Sequence, residues 1–201
     1  MAKIYFLTGG VRSGKSQYAE NLAGTASCKV GYIATALVTD IEMEKRVSLH
    51  RGRRPKNWAT FELSEGCIME KEIETVFSRA YEADIEVIIL DCITNLLFRL
   101  IYEFNESGIL DSSDVMDNLL EERIERRCEN FFKILCSNLL KAKRKFAIST
   151  ILVSNEVGLG VVPPYPFGRI YRDMLGAANK KIAAIADEVL FFVSGLNIKL
   201  K

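Results

Sequence analysis

Short apolar runs alternate with longer amphipathic stretches along the whole chain. Ile4 to Leu7 is a compact apolar run that ends in Thr8-Gly9-Gly10, the pattern of a buried strand entering a turn. Ser13 to Ala23 is spaced as a helix, with Gly24 as its stop. Val30 to Ala34 predicts a second strand, and Asp40 can cap a helix that runs to about His50, with Met43 and Val47 on one face. Trp58 to Phe61 predicts a short strand, and Glu65 to Tyr81 a helix. Val87 to Leu90 is a strand of aliphatic residues closed by Asp91. Leu96 to Phe104 and Ser113 to Lys143 follow as helices, the longer one placing Val115, Leu119, Cys128, Leu135 and Leu139 at near-helical intervals. Ala147 to Val153 is a further strand. A turn rich in proline (Pro163, Pro164, Pro166) leads into a helix from Arg169 to Ala186. Glu188 to Val193 and Leu196 to Leu200 flank Ser194-Gly195 as a terminal hairpin.

This alternation predicts an α/β fold, a mostly parallel sheet with helices on both faces and a C-terminal hairpin. Ligands of such sheets collect at the carboxyl ends of the strands. The polar segments that begin at Thr8, Thr35, Asp91 and Ser154 all follow strand ends. At 201 residues the chain has room for a single domain, residues 1–201. Its 27 basic and 26 acidic residues nearly cancel, so no global field favours nucleic acid or an anionic membrane. Apolar runs are too short to span a bilayer, and Met1 to Leu7 has neither a basic leader region nor a small-residue cleavage site. The expectation is a cytoplasmic protein. Cys28, Cys67, Cys92, Cys128 and Cys136 are odd in number and scattered, without a Cys-x-x-Cys pair, and read as reduced apolar packers.

Gly9-Gly10-Val11-Arg12-Ser13-Gly14-Lys15-Ser16 satisfies the G-x-x-x-x-G-K-[ST] pattern of a phosphate loop. Gly9 and Gly14 allow successive N–H groups to turn inward around an anion. Lys15 supplies a cation for the β and γ oxygens, Ser16 a hydroxyl for Mg²⁺, and the next helix its N-terminal dipole. An apolar strand before the motif and a helix within it favour a nucleoside triphosphate site over a glycine-rich turn with a surface lysine. Asp91 is the natural second Mg²⁺ ligand, one carboxylate closing an aliphatic strand, although such a residue can equally cap a helix.

His50 is the only imidazole, with Arg51, Arg53 and Arg54 close behind it. The guanidiniums suit phosphate oxygens and disfavour imidazolium, which keeps the ring a neutral nucleophile able to attack phosphorus. A solvated basic face, or a patch that only holds an anionic substrate, is the alternative.

The chain resembles the bifunctional adenosylcobinamide kinase / adenosylcobinamide-phosphate guanylyltransferase family of cobalamin biosynthesis. The resemblance rests on Thr8-Gly9-Gly10-x-Arg12-Ser13-Gly14-Lys15-Ser16, on Tyr32-Ile33-Ala34-Thr35, and on Glu42-Met43, Arg46, His50-x-x-x-Arg54-Pro55, Trp58 and Glu62. Further along it rests on Ser154-Asn155-Glu156-Val157-Gly158-x-Gly160-x-Val162-Pro163, Arg172-Asp173, Asn179, Ala186-Asp187-Glu188-Val189 and Val193-Ser194-Gly195. The resemblance implies a RecA-like P-loop fold, a propeller-shaped homotrimer, and a guanylylated histidine at His50. It also implies nucleotide contacts at Gly9 to Ser16, at Ala34-Thr35-Ala36, at Arg51, Gly52, Arg53 and Arg54, at Glu62 and at Asp91. Against the family pattern the segment after Asp91 is about four residues shorter, close to one helical turn. The glycine after the histidine, Gly52, sits one place early, with Arg53 in its expected position.

The expected function has two steps. Adenosylcobinamide is phosphorylated by ATP or GTP in the Gly9–Ser16 loop, with Lys15 stabilising the transferring phosphoryl group and Ser16 and Asp91 holding Mg²⁺. His50 then takes GMP from GTP and passes it to adenosylcobinamide phosphate, giving adenosylcobinamide-GDP. A plain small-metabolite kinase and a regulatory P-loop NTPase are the alternatives. Asn155, Glu156, Arg172 and Asp173 admit either a site role or structural hydrogen bonding.

Overall fold

The computed structural model describes residues 1–27, 29–36, 52, 54–63, 69–104 and 118–201. In chain order the elements are β1 (Ile4–Gly9), α1 (Lys15–Ala26), β2 (Val30–Ala34), β3 (Ala59–Glu62), α2 (Met69–Glu82), β4 (Val87–Asp91), α3 (Ile93–Tyr102), α4 (Asn118–Lys145), β5 (Ser149–Val153), α5 (Pro166–Ile185), β6 (Glu188–Val193) and β7 (Leu196–Lys199). The strands form one seven-stranded sheet in the order β3-β2-β4-β5-β1-β6-β7. Every pairing is parallel except β6 with β7, the antiparallel hairpin at the edge. The predicted α/β class, parallel sheet and terminal hairpin are all present.

Central strands here read as continuous apolar runs because both faces are covered. On one face α2 to α5 pack Ile73, Phe77, Leu97, Phe131, Leu135, Leu175 and Ile182 against Ile4, Phe6, Ile33, Ile88, Leu90 and Leu152. On the other, α1 brings Ala19 and Ala23, flanked by the partly buried Tyr18 and Leu22, to Leu7, Tyr32, Ile89, Ile151, Val153 and Phe192, with Trp58 at the margin.

Several boundaries differ from the sequence reading. Gly24 does not stop α1, which runs on to Ala26. A Cβ built on Gly24 lies 3.7 Å from the Trp58 ring, so the glycine serves close packing inside the helix. Trp58 precedes β3 in a turn, its N–H donating to the Pro55 carbonyl at 3.1 Å. Pro166 opens α5 three residues before the predicted start, a position where the missing N–H costs nothing. Ile93 begins α3, also three residues early, after Cys92 in extended conformation. Ala147 has a φ of 53° and cannot continue a strand, so β5 begins at Ser149. Along α4, Cys128, Leu135 and Leu139 are buried as expected but Leu119 is exposed; Ile124, Phe131 and Phe132 fill the stripe instead. Val115, Cys28, Cys67 and the predicted helix from Asp40 to His50 lie outside the described residues.

Candidate active site at the strand ends

The sheet register brings most of the predicted residues to one edge. Glu62 closes β3 level with Ala34 of β2, and Ala34 is level with Asp91 of β4. Asp91 stands beside Val153 of β5, and Gly9 of β1 beside Phe192 of β6. Thr35 locks this edge just beyond the last strand pair. Its N–H donates to the Asp91 carbonyl at 3.2 Å, its hydroxyl donates to the Cys92 carbonyl at 2.9 Å, and the Cys92 N–H donates back to that hydroxyl at 2.5 Å. Thr35 is therefore a fully buried clasp between β2 and β4, and Ala36 beyond it is half-buried.

The phosphate loop leaves β1 through three residues of positive φ, Gly9 at 141°, Arg12 at 56° and Gly14 at 95°. Glycine is required at the first. A Cβ on Gly9 would meet the Phe192 carbonyl oxygen at 2.2 Å, so the loop lies directly on the β6 backbone. Arg12 holds a left-handed conformation without that excuse, the kind of backbone strain found at binding loops. Lys15 is buried beneath the loop. Its ammonium donates to the carbonyls of Gly9 at 3.0 Å and Gly10 at 2.6 Å and to Ser13 Oγ at 3.3 Å. Burial lowers the Lys15 pKa, opposed by Cys92 and Asp91. Ser16 is half-buried on the first turn of α1, while Val11 and Arg12 are exposed at the loop tip.

Asp91 is held from the side. The Tyr32 hydroxyl donates to its Oδ2 at 2.7 Å, and burial raises the phenol pKa, with Asp91 reinforcing, so the hydroxyl remains the donor. The Arg54 guanidinium carbon lies 3.4 Å from the centre of the Tyr32 ring. Burial pushes the neighbouring Cys92 thiol up to about 12, which removes it as a nucleophile. Across the loop, a cleft of about 480 Å³ is lined by Val11, Arg12, Glu156, Leu159, Phe191 and Val193, among others.

Behind the β5 end a polar relay ties the helices to the edge. Ser154 Oγ donates to Asn179 Oδ1 at 2.7 Å, Asn179 Nδ2 to the Asn155 carbonyl at 3.0 Å, and the Asn155 N–H to Thr94 Oγ1 at 3.1 Å. Glu156 accepts the Gly158 N–H at 2.8 Å and donates its own N–H to the Gly9 carbonyl at 3.0 Å. Arg172 pairs with Asp173 at 3.1 Å. Structural bonding thus accounts for Asn155, and Glu156 reaches the loop through its backbone.

Of the predicted site residues, the structure places Gly9 to Ser16, Ala34, Thr35, Ala36, Arg54, Glu62 and Asp91 along this edge or packed against it, and Gly52 exposed. His50, Arg51 and Arg53 lie outside the described residues. Two residues given no role by sequence reasoning matter here. Tyr32 was legible as the only polar-tipped side chain in an otherwise aliphatic strand. Phe192, whose backbone supports Gly9, carries no local signal.

Residues 5–200 match the family model described as cobinamide kinase / cobinamide phosphate guanyltransferase. The bifunctional adenosylcobalamin biosynthesis protein CobU of Escherichia coli (strain K12) is 34% identical over 201 residues, covering 98% of this chain and 99% of that protein. Its counterpart CobP from Pseudomonas aeruginosa is 34% identical over 197 residues, covering 97% of this chain and 95% of that protein. Among solved structures, an ATPase from the type III secretion system of pathogenic bacteria superimposes with a TM-score of 0.56 at 11% identity, over 98% of this chain and 56% of that one, a likeness of RecA-like P-loop fold alone. The chain belongs to the family of bifunctional cobinamide kinases and cobinamide phosphate guanyltransferases.

Proposed function

We propose that both reactions of this bifunctional enzyme run from the carboxyl edge of the one sheet. In the kinase step a nucleoside triphosphate, ATP or GTP, lies in the Gly9–Ser16 loop, and the hydroxyl of adenosylcobinamide attacks the γ-phosphorus. Lys15 stabilises the charge that develops on the transferring group. In the second step His50 attacks the α-phosphorus of GTP, forming a nitrogen–phosphorus bond and expelling pyrophosphate. The phosphate of adenosylcobinamide phosphate then displaces the imidazole and gives adenosylcobinamide-GDP. Arg51, Arg53 and Arg54 share the charge on the α-phosphate and its leaving group. Ala34, Thr35, Ala36, Gly52 and Glu62 complete the nucleotide contacts.

The observation that carries the reading is the buried Lys15 ammonium under a loop turned by three positive φ angles, on the edge that also holds Asp91. The donor set fits Mg²⁺. Ser16 and Asp91 are hard oxygen donors, and no group of three or more His, Cys, Asp or Glu side chains gathers among the described residues, as expected of an ion completed by phosphates and water rather than by a protein cage. When bound, Mg²⁺ neutralises phosphate charge. The homotrimer belongs to the same reading, and sedimentation of the purified chain checks it. No helix among the described residues is long and apolar enough to cross a membrane, and a cytoplasmic location is part of the proposal.

The test is incubation with Mg²⁺ and α-phosphate-labelled GTP, then denaturation. The expected label is acid-labile and base-stable, and His50→Ala abolishes it while kinase turnover persists. Label retained on the His50→Ala protein overturns the assignment.

A further inference from the structure

Tyr32 occupies a position where an aliphatic residue would serve packing equally well. It lies in the middle of β2, paired with Thr60 of β3 and Ile89 of β4, and is 2% exposed among Ile89, Ile151 and Val87. Its two halves meet different parts of the site. The hydroxyl reaches Asp91, two residues beyond Ile89 on the same face of β4, and donates to Oδ2 at 2.7 Å. A diagonal cross-strand contact of this kind suits a long aromatic side chain. The ring face meets the Arg54 guanidinium at 3.4 Å, cation–π geometry. The Nε of Arg54 is buried without a hydrogen-bond partner among the described residues, and among those residues the ring is the contact recorded for its guanidinium. Arg54 stands four residues after His50 in the chain.

A satisfied core hydroxyl would need only one acceptor, and a main-chain carbonyl would do. Here the acceptor is the carboxylate at the strand end, and Asp91 is half-buried rather than sealed. Engaging Oδ2 restricts rotation of the carboxylate, and no hydrogen bond among the described residues reaches Oδ1. Among the described residues one oxygen is tied to the protein and the other is open to a ligand, the arrangement by which outer groups orient metal-binding carboxylates.

We propose that Tyr32 is a positioning residue for both reactions: its hydroxyl fixes Asp91 for the Mg²⁺–nucleotide complex, and its ring seats Arg54, the guanidinium proposed above to share the charge on the α-phosphate. The inference rests on Asp91 acting through Mg²⁺, as proposed above. It divides one side chain into two separable functions. Tyr32→Phe removes the hydroxyl and keeps the seat. Tyr32→Leu removes both, and Arg54→Met removes the guanidinium alone.

The experiment is equilibrium binding of a fluorescent, non-hydrolysable GTP analogue, with Mg²⁺ and with EDTA, alongside the rate of covalent labelling by α-phosphate-labelled GTP. Thermal denaturation identifies any variant that fails to fold. Tyr32→Phe reduces the gain in affinity that Mg²⁺ confers by about tenfold and leaves binding in EDTA unaltered. Labelling falls about fivefold more in Tyr32→Leu than in Tyr32→Phe, and adding Arg54→Met to Tyr32→Leu costs less than the two separate losses together. If Asp91→Asn lowers the Mg²⁺ gain and Tyr32→Phe does not, the hydroxyl role is overturned while the metal reading stands. If Asp91→Asn also leaves the gain intact, the metal reading fails and the hydroxyl role with it. Fully additive losses for Tyr32→Leu and Arg54→Met overturn the seat. Should Tyr32→Leu not fold, Arg54→Met alone tests the seat, and labelling equal to that of the parent overturns it.

Discussion

On one face of the sheet, four helices press Phe77, Phe131, Phe132, Leu135 and Leu175 into a thick aliphatic and aromatic layer. On the other, a single helix buries Ala19 and Ala23 fully and leaves Tyr18 and Leu22 partly covered at the edge of the layer. The groups proposed for catalysis are distributed accordingly. Lys15 begins the lone helix, and Tyr32, with its hydroxyl on Asp91, belongs to the thinner layer. Small residues there let α1 come close enough for its first turn to sit against the strand ends. A thick layer would have excluded those polar tips or left them unsatisfied. The larger apolar layer thus lies on one side of the strands and the groups proposed for chemistry on the other, with the strands themselves shared.

Three substitutions probe that division. The largest effect belongs to the thick face. Phe131→Ala, fully buried on α4, costs about 4 kcal/mol of stability from lost transfer energy and the cavity left behind. Denaturant titration measures it, and nucleotide affinity of the folded fraction stays near that of the parent. If affinity falls in step, the two faces are not independent. On the thin face, Lys15→Met lowers kinase turnover by about 100-fold or more, the cost of losing one donor to the developing charge, while the melting temperature moves only slightly. A large fall in melting temperature would show that the hydrogen bonds from Lys15 to the loop carbonyls are chiefly structural.

The smallest effect lies at the foot of the thick face. Asp187 accepts hydrogen bonds from Lys143 and from the Ile4 N–H. Burial works to raise its pKa, but those bonds outweigh burial and hold it below the ordinary carboxylate range. A depressed folded pKa stabilises above the unfolded value, about 3.9, and that contribution is lost as pH falls through the folded value. Asp187→Asn is therefore slightly less stable than the parent at neutral pH, and the gap closes below about pH 4. Urea titrations at pH 7 and pH 3 check it. A gap that persists at low pH would assign the effect to packing rather than charge.

The phosphate loop and the aliphatic strands were legible because their signals are contiguous, each motif carrying its own strand and turn. Features set by distant partners were not. Gly24 has the local character of a helix stop, yet Trp58, far along the chain, gives it a packing role inside α1. Pro166 reads as part of a turn until the helix that it opens is seen. Leu119 keeps the periodicity of its buried neighbours but lies outside the stripe, because one apolar residue at the right interval does not fix which face turns inward. The link from Tyr32 to Asp91 could be anticipated only once β2 and β4 were known to be adjacent.

The placement of β1 has a consequence for synthesis on the ribosome. Its register partners are Thr150 to Val153 on one side and Glu188 to Phe192 on the other. β1 therefore waits for β5 before its first edge is paired and for β6 before its second, both far along the chain, and such long-range closure is slow. Gly9, translated long before Phe192, gains its supporting wall only when Phe192 has left the exit tunnel. A nucleotide bound as proposed therefore meets its complete loop only after β6 has joined the sheet.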